Sequence, residues 1–144
     1  MGVINPAGFS ERFVASLVDG LLIFISTGFL GLLIYGEFYS MKYRIIDELG
    51  LVYHIVLPLC WYGYTVGKRA RKIRIVKMDG SNVGIGTMLL RILVAGIIYL
   101  LTLGIGIIVS AFMVALREDK RAIHDFIAST YVTEEPPGSE RLTV

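Results

Sequence analysis

The sequence predicts an all-α membrane protein with three apolar regions, the third split more readily into two helices than crossing once, and a small cytoplasmic β-hairpin or sheet. Two observations predict this class. Of the 144 residues, 55% are hydrophobic, which is too many for an ordinary soluble domain. The apolar residues are also gathered into runs close to the length of a membrane crossing, and basic residues are concentrated in one of the loops between them.

The first two apolar runs each predict a membrane helix, which needs about 20 apolar residues. The first run covers residues 13–36, and the second runs from Leu49 to about Val66. Residues 37–48 carry charges of both signs, so we expect a short loop there. Pro58 removes one backbone donor from the second helix, which predicts a kink near that proline.

The third apolar region, residues 88–116, is long for a single crossing and has two interpretations. As one tilted helix, it would place Thr102, Gly106 and Ser110 at every fourth position, a stripe of small residues suited to close helix packing. As two short helices, it would break at the glycines and return to the side from which it entered. The distribution of charge favours the second interpretation.

Lysine and arginine near membrane ends prefer the cytoplasmic side. The segment after Leu116 is basic, and so is the loop over residues 67–86. We therefore expect the N-terminus, this loop and the segment after the third region to lie on the cytoplasmic face of the cell membrane. The basic residues of the loop are Lys68, Arg69, Arg71, Lys72, Arg74 and Lys77.

Three short segments have strand-forming patterns. Residues 72–76 partly alternate, residues 78–81 are turn-forming, and residues 82–85 are expected to return as a second strand. Residues 129–133 are also rich in strand formers. The segments can share a sheet only if they lie on one side of the membrane; the alternative is that they are irregular interfacial segments.

The chain length predicts one transmembrane domain over residues 1–133 and no separate soluble enzyme. Residues 134–144 are polar and rich in proline, which predicts a disordered tail. Cys60 is the only cysteine, and neither His54 nor His124 has companions at metal-ligand spacing. We expect no enzyme, no metal and no cofactor. Nucleic-acid binding is not expected either, because the basic cluster is short and next to the membrane.

Arg12 and Asp19 are the most informative polar residues, because they lie two helical turns apart on the first membrane helix. A buried carboxylate costs several kcal/mol unless it is paired, hydrated or protonated. Helical side chains lean toward the N-terminus, so Arg12 would reach against that lean and a third group is expected between the two. Asp19 then either binds a proton or cation, or belongs to a network that fixes helix packing. The candidate third groups are Ser16, Arg69, Arg71 and Arg91.

Short motifs along the chain up to about Thr133 match a known pattern. They are Gly8-Phe9, Arg12-Phe13-Val14-Ala15, Asp19-Gly20, Thr65-Val66-Gly67-Lys68-Arg69, Asp79-Gly80, Arg91, Arg121-Ala122-Ile123-His124-Asp125 and Ala128-Ser129-Thr130-Tyr131-Val132. Together they resemble the RDD family, named for one arginine and two aspartates. The resemblance implies that Arg12, Asp19 and Asp125 are the naming residues. It also implies a membrane protein for which transport, and for some members cation–proton exchange, has been proposed. Val66 departs from the proline that the family often has there.

These observations favour a cation- or proton-linked transporter with Arg12, Asp19, Arg91 and Asp125 in one buried polar cluster. A second copy of the chain is expected, since so few short helices do not easily enclose a pathway. The alternative is a non-catalytic membrane partner that regulates another membrane protein or enzyme. A third hypothesis is binding to membrane lipids, or to a partner, through the basic loop residues Lys68, Arg69, Arg71 and Lys72.

Overall fold

The computed structural model describes residues 3–38 and 44–136. This part of the chain is mostly helical, with one long apolar helix and a two-stranded antiparallel sheet. The elements in chain order are α1 (Phe9–Tyr35), α2 (Arg44–Cys60), α3 (Val66–Ala70), β1 (Arg74–Lys77), α4 (Ile85–Leu101), α5 (Ile105–Leu116), α6 (Ile123–Ile127) and β2 (Thr130–Thr133).

Helix α1 begins at Phe9, four residues before the apolar run, and has 27 residues. It ends at Gly36, which adopts a left-handed conformation and donates its N–H to the carbonyl of Leu32. Glycine suits such a helix end because it lacks the Cβ that penalises positive φ. Among the described residues, α1 is the one helix long and apolar enough to cross a membrane by length and composition.

Helix α2 differs from its predicted bounds at both ends. It includes Arg44, within the segment expected to be a loop, and it ends at Cys60 rather than near residue 66, with Pro58 inside the helix. The early end follows from the turn after it, where Tyr62 and Gly63 have positive φ angles. A Cβ on Gly63 would overlap the backbone of Ile75, so glycine at this position lets β1 approach the end of α2.

The third apolar region forms two helices, in agreement with the interpretation that the charge distribution favoured. Gly104 has a left-handed conformation between α4 and α5, and its N–H bonds the carbonyl of Tyr99 at 2.8 Å. The small-residue stripe expected of a single helix is interrupted, because Thr102 caps the end of α4 and Gly106 lies in α5. The Thr102 hydroxyl accepts the N–H of Gly106 across the break at 3.0 Å. The two helices form a hairpin in which the Tyr99 hydroxyl of α4 lies 3.0 Å from the Ser110 hydroxyl of α5.

Strand β1 pairs with β2, from Arg74 opposite Thr133 to Lys77 opposite Thr130. The small sheet was therefore predicted correctly, but the return strand over residues 82–85 was wrong. Asn82 makes one isolated bridge with Val76, and the chain enters α4 at Ile85. Only Val83 and Gly84 lie between Asn82 and the start of that helix, which leaves too short a segment for a strand.

Both ends of the described chain join the sheet. Pro6 bridges Thr133, and the N–H of Glu134 bonds the carbonyl of Asn5 at 3.1 Å. Arg74 donates from Nε to the carbonyl of Glu135 at 2.8 Å. Residues 134 and 135 of the predicted tail therefore make backbone contacts with Asn5 and the sheet, and residues 137–144 lie outside the described residues.

The core is small and lies where the sheet meets the ends of the long helices. Helix α3 packs against α1, and α6 packs against α4. The short elements α3, β1, α6 and β2 thus form a layer at one end of the helices, which we call the junction layer. The core between this layer and the starts of α1 and α4 is formed by the buried residues Ala7, Ala15, Ile73, Ile75, Val83, Met88 and Val132.

Candidate functional site

Asp125 stands at the centre of the junction layer with a side chain that is 0% exposed. Its Oδ2 accepts from Arg12 Nη1 at 2.6 Å, and its Oδ1 forms an ion pair with Arg91. The same carboxylate accepts the backbone N–H of Ala122 at 2.9 Å, which satisfies a free donor at the start of α6. One side chain therefore connects α1, α4 and α6.

Electrostatics keep this carboxylate ionised. Burial alone would raise the pKa of Asp125, but the charges of Arg91 and Arg12 outweigh burial and hold the pKa well below its ordinary value. Asp125 is therefore a fixed negative charge at neutral pH. A group with such a pKa is poorly suited to take up and release protons under physiological conditions.

The arginines also bind backbone carbonyls in the junction layer. Arg12 donates from Nη2 to the carbonyl of Lys120 at 2.6 Å and from Nε to that of Ala7 at 3.1 Å. Arg121 donates to the carbonyls of Thr130 and Asp125, both at 3.0 Å. The rigid fork of donors in guanidinium allows one side chain to hold several segments together.

Asp19 is bound by a different set of groups and is 1% exposed. Its Oδ1 accepts from the Tyr53 hydroxyl and from the N–H of Gly67, both at 2.7 Å. Its Oδ2 accepts from the Thr65 hydroxyl at 2.5 Å, with Lys68 Nζ at 3.9 Å. Each oxygen is thus occupied by a donor, so the charge is stabilised mainly by hydrogen bonds rather than by a close ion pair.

Gly67 makes the Asp19 arrangement sterically feasible. A Cβ at this position would overlap the backbone carbonyl of Ala15 and crowd the carboxyl carbon of Asp19. Thr65 stands at the N-cap of α3, where its hydroxyl also accepts the N–H of Lys68 at 3.3 Å. The Thr-Val-Gly-Lys segment therefore brings the start of α3 onto the carboxylate of α1.

The structure brings Arg12, Arg91 and Asp125 together but separates Asp19 from them. Arg12 and Asp19 do not bond each other, and the proposed third groups are engaged elsewhere. Ser16 donates to the carbonyl of Arg12 at 2.9 Å. Arg71 binds Glu11 through two bonds of 2.8 and 2.9 Å, and Arg69 lies over the rings of Trp61 and Tyr64.

Lys68 lies between the two carboxylate sites and was missed as a partner of Asp19. Its ammonium group is 3.5 Å from the Thr65 hydroxyl as well as 3.9 Å from Asp19. Burial lowers the pKa of Lys68 to about 8, even though the charge of Asp19 opposes the shift. The sequence shows that Lys68 lies within the family motif, but it does not show that the Lys68 side chain points toward Asp19. Lys68 is therefore not part of the outer surface of the basic loop, in contrast to Arg69, Arg71 and Lys72, which are exposed.

Tyr99 and His124 form a second polar pair that sequence reasoning missed. The Tyr99 hydroxyl lies 2.8 Å from His124 Nδ1 and 3.0 Å from the Ser110 hydroxyl. Burial, reinforced by the charge of Arg91, lowers the pKa of His124 to about 3. His124 is therefore a neutral imidazole at physiological pH.

Two cavities between the helices meet at these polar groups. One, of about 370 Å³, lies between α1 and α5. The other, of about 470 Å³, lies between α2 and α4. Neither is lined by a carboxylate from the described residues, so the shared wall is basic and hydrogen-bonding. The residues common to both linings are Lys68, Arg91, Tyr99 and His124.

Metal binding has no obvious place in this arrangement. Within residues 3–38 and 44–136, no group of three or more histidine, cysteine, aspartate or glutamate side chains is placed to hold a metal ion. The two buried carboxylates are surrounded by donors. The available chemistry is that of a cationic wall with hydroxyl and imidazole groups beside it.

Comparison with known proteins identifies the class to which this fold and site belong. The model of the RDD family matches residues 6–129, so the chain belongs to the RDD family. It is 45% identical over 142 residues to the uncharacterized protein YckC of Bacillus subtilis (strain 168), covering 99% of this chain and 93% of the relative. It is 27% identical over 155 residues to the uncharacterized protein YxaI of the same organism, covering 89% of this chain and 97% of the relative. No solved structure matches the chain.

Proposed function

We propose that the chain is an integral membrane protein with α1, α2 and the α4–α5 hairpin in the bilayer and the junction layer on the cytoplasmic side. Family membership points to a membrane protein. Large apolar side chains on the helices are strongly exposed, among them Leu33, Leu103 and Leu116. An apolar surface of this extent is favourable in lipid and costly in water. The basic residues of the junction layer agree with a cytoplasmic orientation.

The tip of the α4–α5 hairpin supports a position in lipid. Leu103 is 90% exposed there, yet the turn carries no charge. Its backbone donors are bonded internally, Leu103 to Leu100, Gly104 to Tyr99 and Ile105 to Thr102. Backbone polar groups in the hydrocarbon need hydrogen-bond partners within the protein, because lipid tails offer none. The N–H groups of the tip meet that requirement.

We further propose that the family's arginine and aspartates hold the bundle together, and that the cationic wall between the helices binds an anionic group. The observation that carries this proposal is the lining of the two cavities, which includes Lys68 and Arg91 but no carboxylate from the described residues. Asp19 and Asp125 are both buried behind that wall. A cation bound there would be repelled by the positive charge of the wall, whereas an anion would meet N–H groups that can donate further hydrogen bonds.

The charge balance favours the same conclusion. The cations Arg12, Lys68, Arg91 and Arg121 outnumber the two buried carboxylates, Asp19 and Asp125, and His124 is neutral. The site therefore carries an excess of positive charge without a local counter-charge, which is unfavourable in a poorly hydrated site. An anion bound at the shared wall would supply that counter-charge. Cation binding at Asp19, by contrast, would require displacing the N–H and O–H donors that now occupy both carboxylate oxygens.

The test is the charge selectivity of ligand stabilisation. Protein purified in a neutral detergent is heated at constant ionic strength with phosphate or chloride as the anion, and with sodium, potassium or calcium as the cation. We expect the melting temperature to rise with phosphate and to be insensitive to the cation. Lys68→Gln should remove the rise, and the exposed control Lys72→Gln should retain it. Stabilisation by a cation that depends on Asp19 would refute the proposal.

A second candidate function, proton-linked transport, is favoured by the position of one titratable group. Lys68 lines both cavities, and its pKa of about 8 allows it to gain and lose a proton near neutrality. Proton flux is measured in liposomes containing wild type, Lys68→Gln or Asp19→Asn. If Lys68 carries the proton, the Lys68→Gln variant should lose proton flux. Equal flux in wild type and Lys68→Gln, or none in any liposome, would exclude this role.

A further inference from the structure

The cavity between α1 and α5 differs from the other cavity in the number of cations that reach it. Arg12 joins Lys68 and Arg91 in its lining, while the cavity between α2 and α4 is reached only by Lys68 and Arg91. Ser16 and Ser110 add hydroxyl groups to the first cavity. A cluster of three cationic side chains with nearby hydroxyls is suited to phosphate oxygens.

Two of these cations have donors to spare. Within the described residues Arg91 uses only Nη1, for the hydrogen bond to Thr130 and the ion pair with Asp125, so its Nε and Nη2 are available. Lys68 Nζ makes no contact shorter than 3.5 Å with the described residues. Ammonium and guanidinium groups normally satisfy more of their donors when they are removed from water. These donors therefore indicate a ligand with several acceptor oxygens.

The opposite wall of the same cavity is apolar. Phe13 on α1 and Ile107 and Ala111 on α5 line it, and Phe9 stacks with Phe13 at a ring distance of 5.7 Å. Phe13 and Ile107 are also exposed on the outer surface of the helices. The apolar wall is thus continuous with the surface that we assign to lipid. A soluble anion would leave this wall uncovered.

From this juxtaposition we propose that the α1–α5 cavity binds an anionic glycerophospholipid from the inner leaflet. Its phosphate meets Lys68, Arg91 and Arg12, and its acyl chain lies along Phe13, Ile107 and Ala111. The excess of positive charge around the cluster favours a headgroup with a net negative charge over a zwitterionic one. Basic pockets between membrane helices on the cytoplasmic side are known binding places for such headgroups.

This inference rests on the membrane position and anion binding proposed above. The experiment uses delipidated full-length protein and native mass spectrometry, with phosphatidylglycerol as the probe and phosphatidylcholine as the zwitterionic comparison. We expect about a tenfold preference for phosphatidylglycerol, the size of effect that one charge-assisted hydrogen bond provides. Equal binding of the two lipids would overturn the inference.

Two pairs of variants locate the site. Lys68→Gln should abolish the preference, whereas Lys72→Gln, which removes a charge from the outer surface of the same loop, should keep it. Ala111→Phe places a large side chain in the cavity and should also abolish binding, whereas Val109→Phe, at an exposed position on the other side of α5, should not. Melting of each variant without lipid tests whether it is folded. Loss of the preference in Lys72→Gln alone would place the lipid on the outer loop and refute the cavity.

The same measurements separate the lipid inference from the proposed anion binding. If inorganic phosphate stabilises the protein through Lys68 but phosphatidylglycerol does not bind, the lipid inference fails and the cationic binding site stands. If neither inorganic phosphate nor phosphatidylglycerol binds, both proposals fail. Competition between the two at the wild-type site, with the lipid the tighter ligand, is the expected result.

Discussion

The two buried aspartates of this protein solve the same problem in different ways. Asp125 is neutralised by two arginines that come from α1 and α4, far apart in the sequence. Asp19 is surrounded by neutral donors from α2 and α3, with a lysine only at 3.9 Å. Both aspartates connect helices, but only Asp125 does so through close ion pairs with charged side chains. The comparison teaches that the three naming residues of the family do not form a single site.

The largest effect is expected from neutralising the Asp125 site. Asp125→Asn leaves Arg12 and Arg91 buried without a full counter-charge, which should cost about 3–5 kcal/mol of unfolding free energy. Unfolding by denaturant titration in micelles measures this cost. Asp119→Asn is the control, because Asp119 pairs with Arg117 at a more exposed position. A loss below about 1 kcal/mol for Asp125→Asn would contradict the assigned network.

A smaller but still large effect is expected from crowding the Asp19 site. Gly67→Ala places a methyl group against the Ala15 carbonyl and should cost about 1–3 kcal/mol, since backbone must move on both sides. Gly86→Ala is the matched control, because a Cβ there meets nothing within 4 Å and the helix gains propensity. Equal stability of the two variants in the same titration would show that α3 is not held closely on α1.

Asp19→Asn should cost less than Asp125→Asn. The amide keeps one acceptor oxygen but turns its NH₂ group toward the donors, so roughly one or two hydrogen bonds are lost, about 1–3 kcal/mol. Tyr53→Phe removes one of the same bonds and is expected to cost about 1 kcal/mol. If Asp19→Asn proves the more damaging of the two aspartate substitutions, the contrast between the sites is reversed and the account is wrong.

The last prediction concerns pH, and it distinguishes the two sites by the pH window in which stability changes. The pKa of Lys68 is lowered in the folded state to about 8, against about 10.4 for an unfolded lysine. The unfolded chain then binds more protons between these values, so stability should rise with pH across that window. The pKa of Asp125 is lowered, so its contribution is fully present above about pH 4 and is lost only in more acidic solution.

The Lys68 effect is measured as the difference in unfolding free energy between wild type and Lys68→Gln as a function of pH. The difference should increase in favour of wild type from about pH 8 to about pH 10. The Lys72→Gln comparison should be flat over this interval, because Lys72 is exposed. A difference that falls with rising pH would mean that Lys68 is stabilised in its charged form by the fold.

Hydropathy and charge allowed much of the fold to be predicted. The division of residues 88–116 follows from Gly104 and from the cations after Leu116, and the strand-forming character of residues 130–133 was visible directly. The return strand was wrong because a turn at Asp79-Gly80-Ser81 permits a reversal without requiring a ladder. Local patterns do not specify which strand will be the partner.

The candidate site could be predicted only in part. The return of Asp125 to Arg12 followed from placing both at one face of the membrane. The partners of Asp19 did not follow, because Tyr53 reaches it from α2 and Gly67 reaches it after the reversal at Tyr62-Gly63. Helical spacing within α1 carries no information about either approach. Lys68 appeared in the sequence as one of several loop cations, and only the fold turns it inward.

The most direct test of the central claim is a structure of the protein in phosphatidylglycerol-containing nanodiscs, with selenate and rubidium as heavy analogues of an anion and a monovalent cation. The account predicts phosphate or selenate density within hydrogen-bonding distance of Lys68 and Arg91, and undisturbed hydrogen bonds at Asp19. Rubidium coordinated by the carboxylate of Asp19 or Asp125, with no anion at the cationic wall, would contradict it.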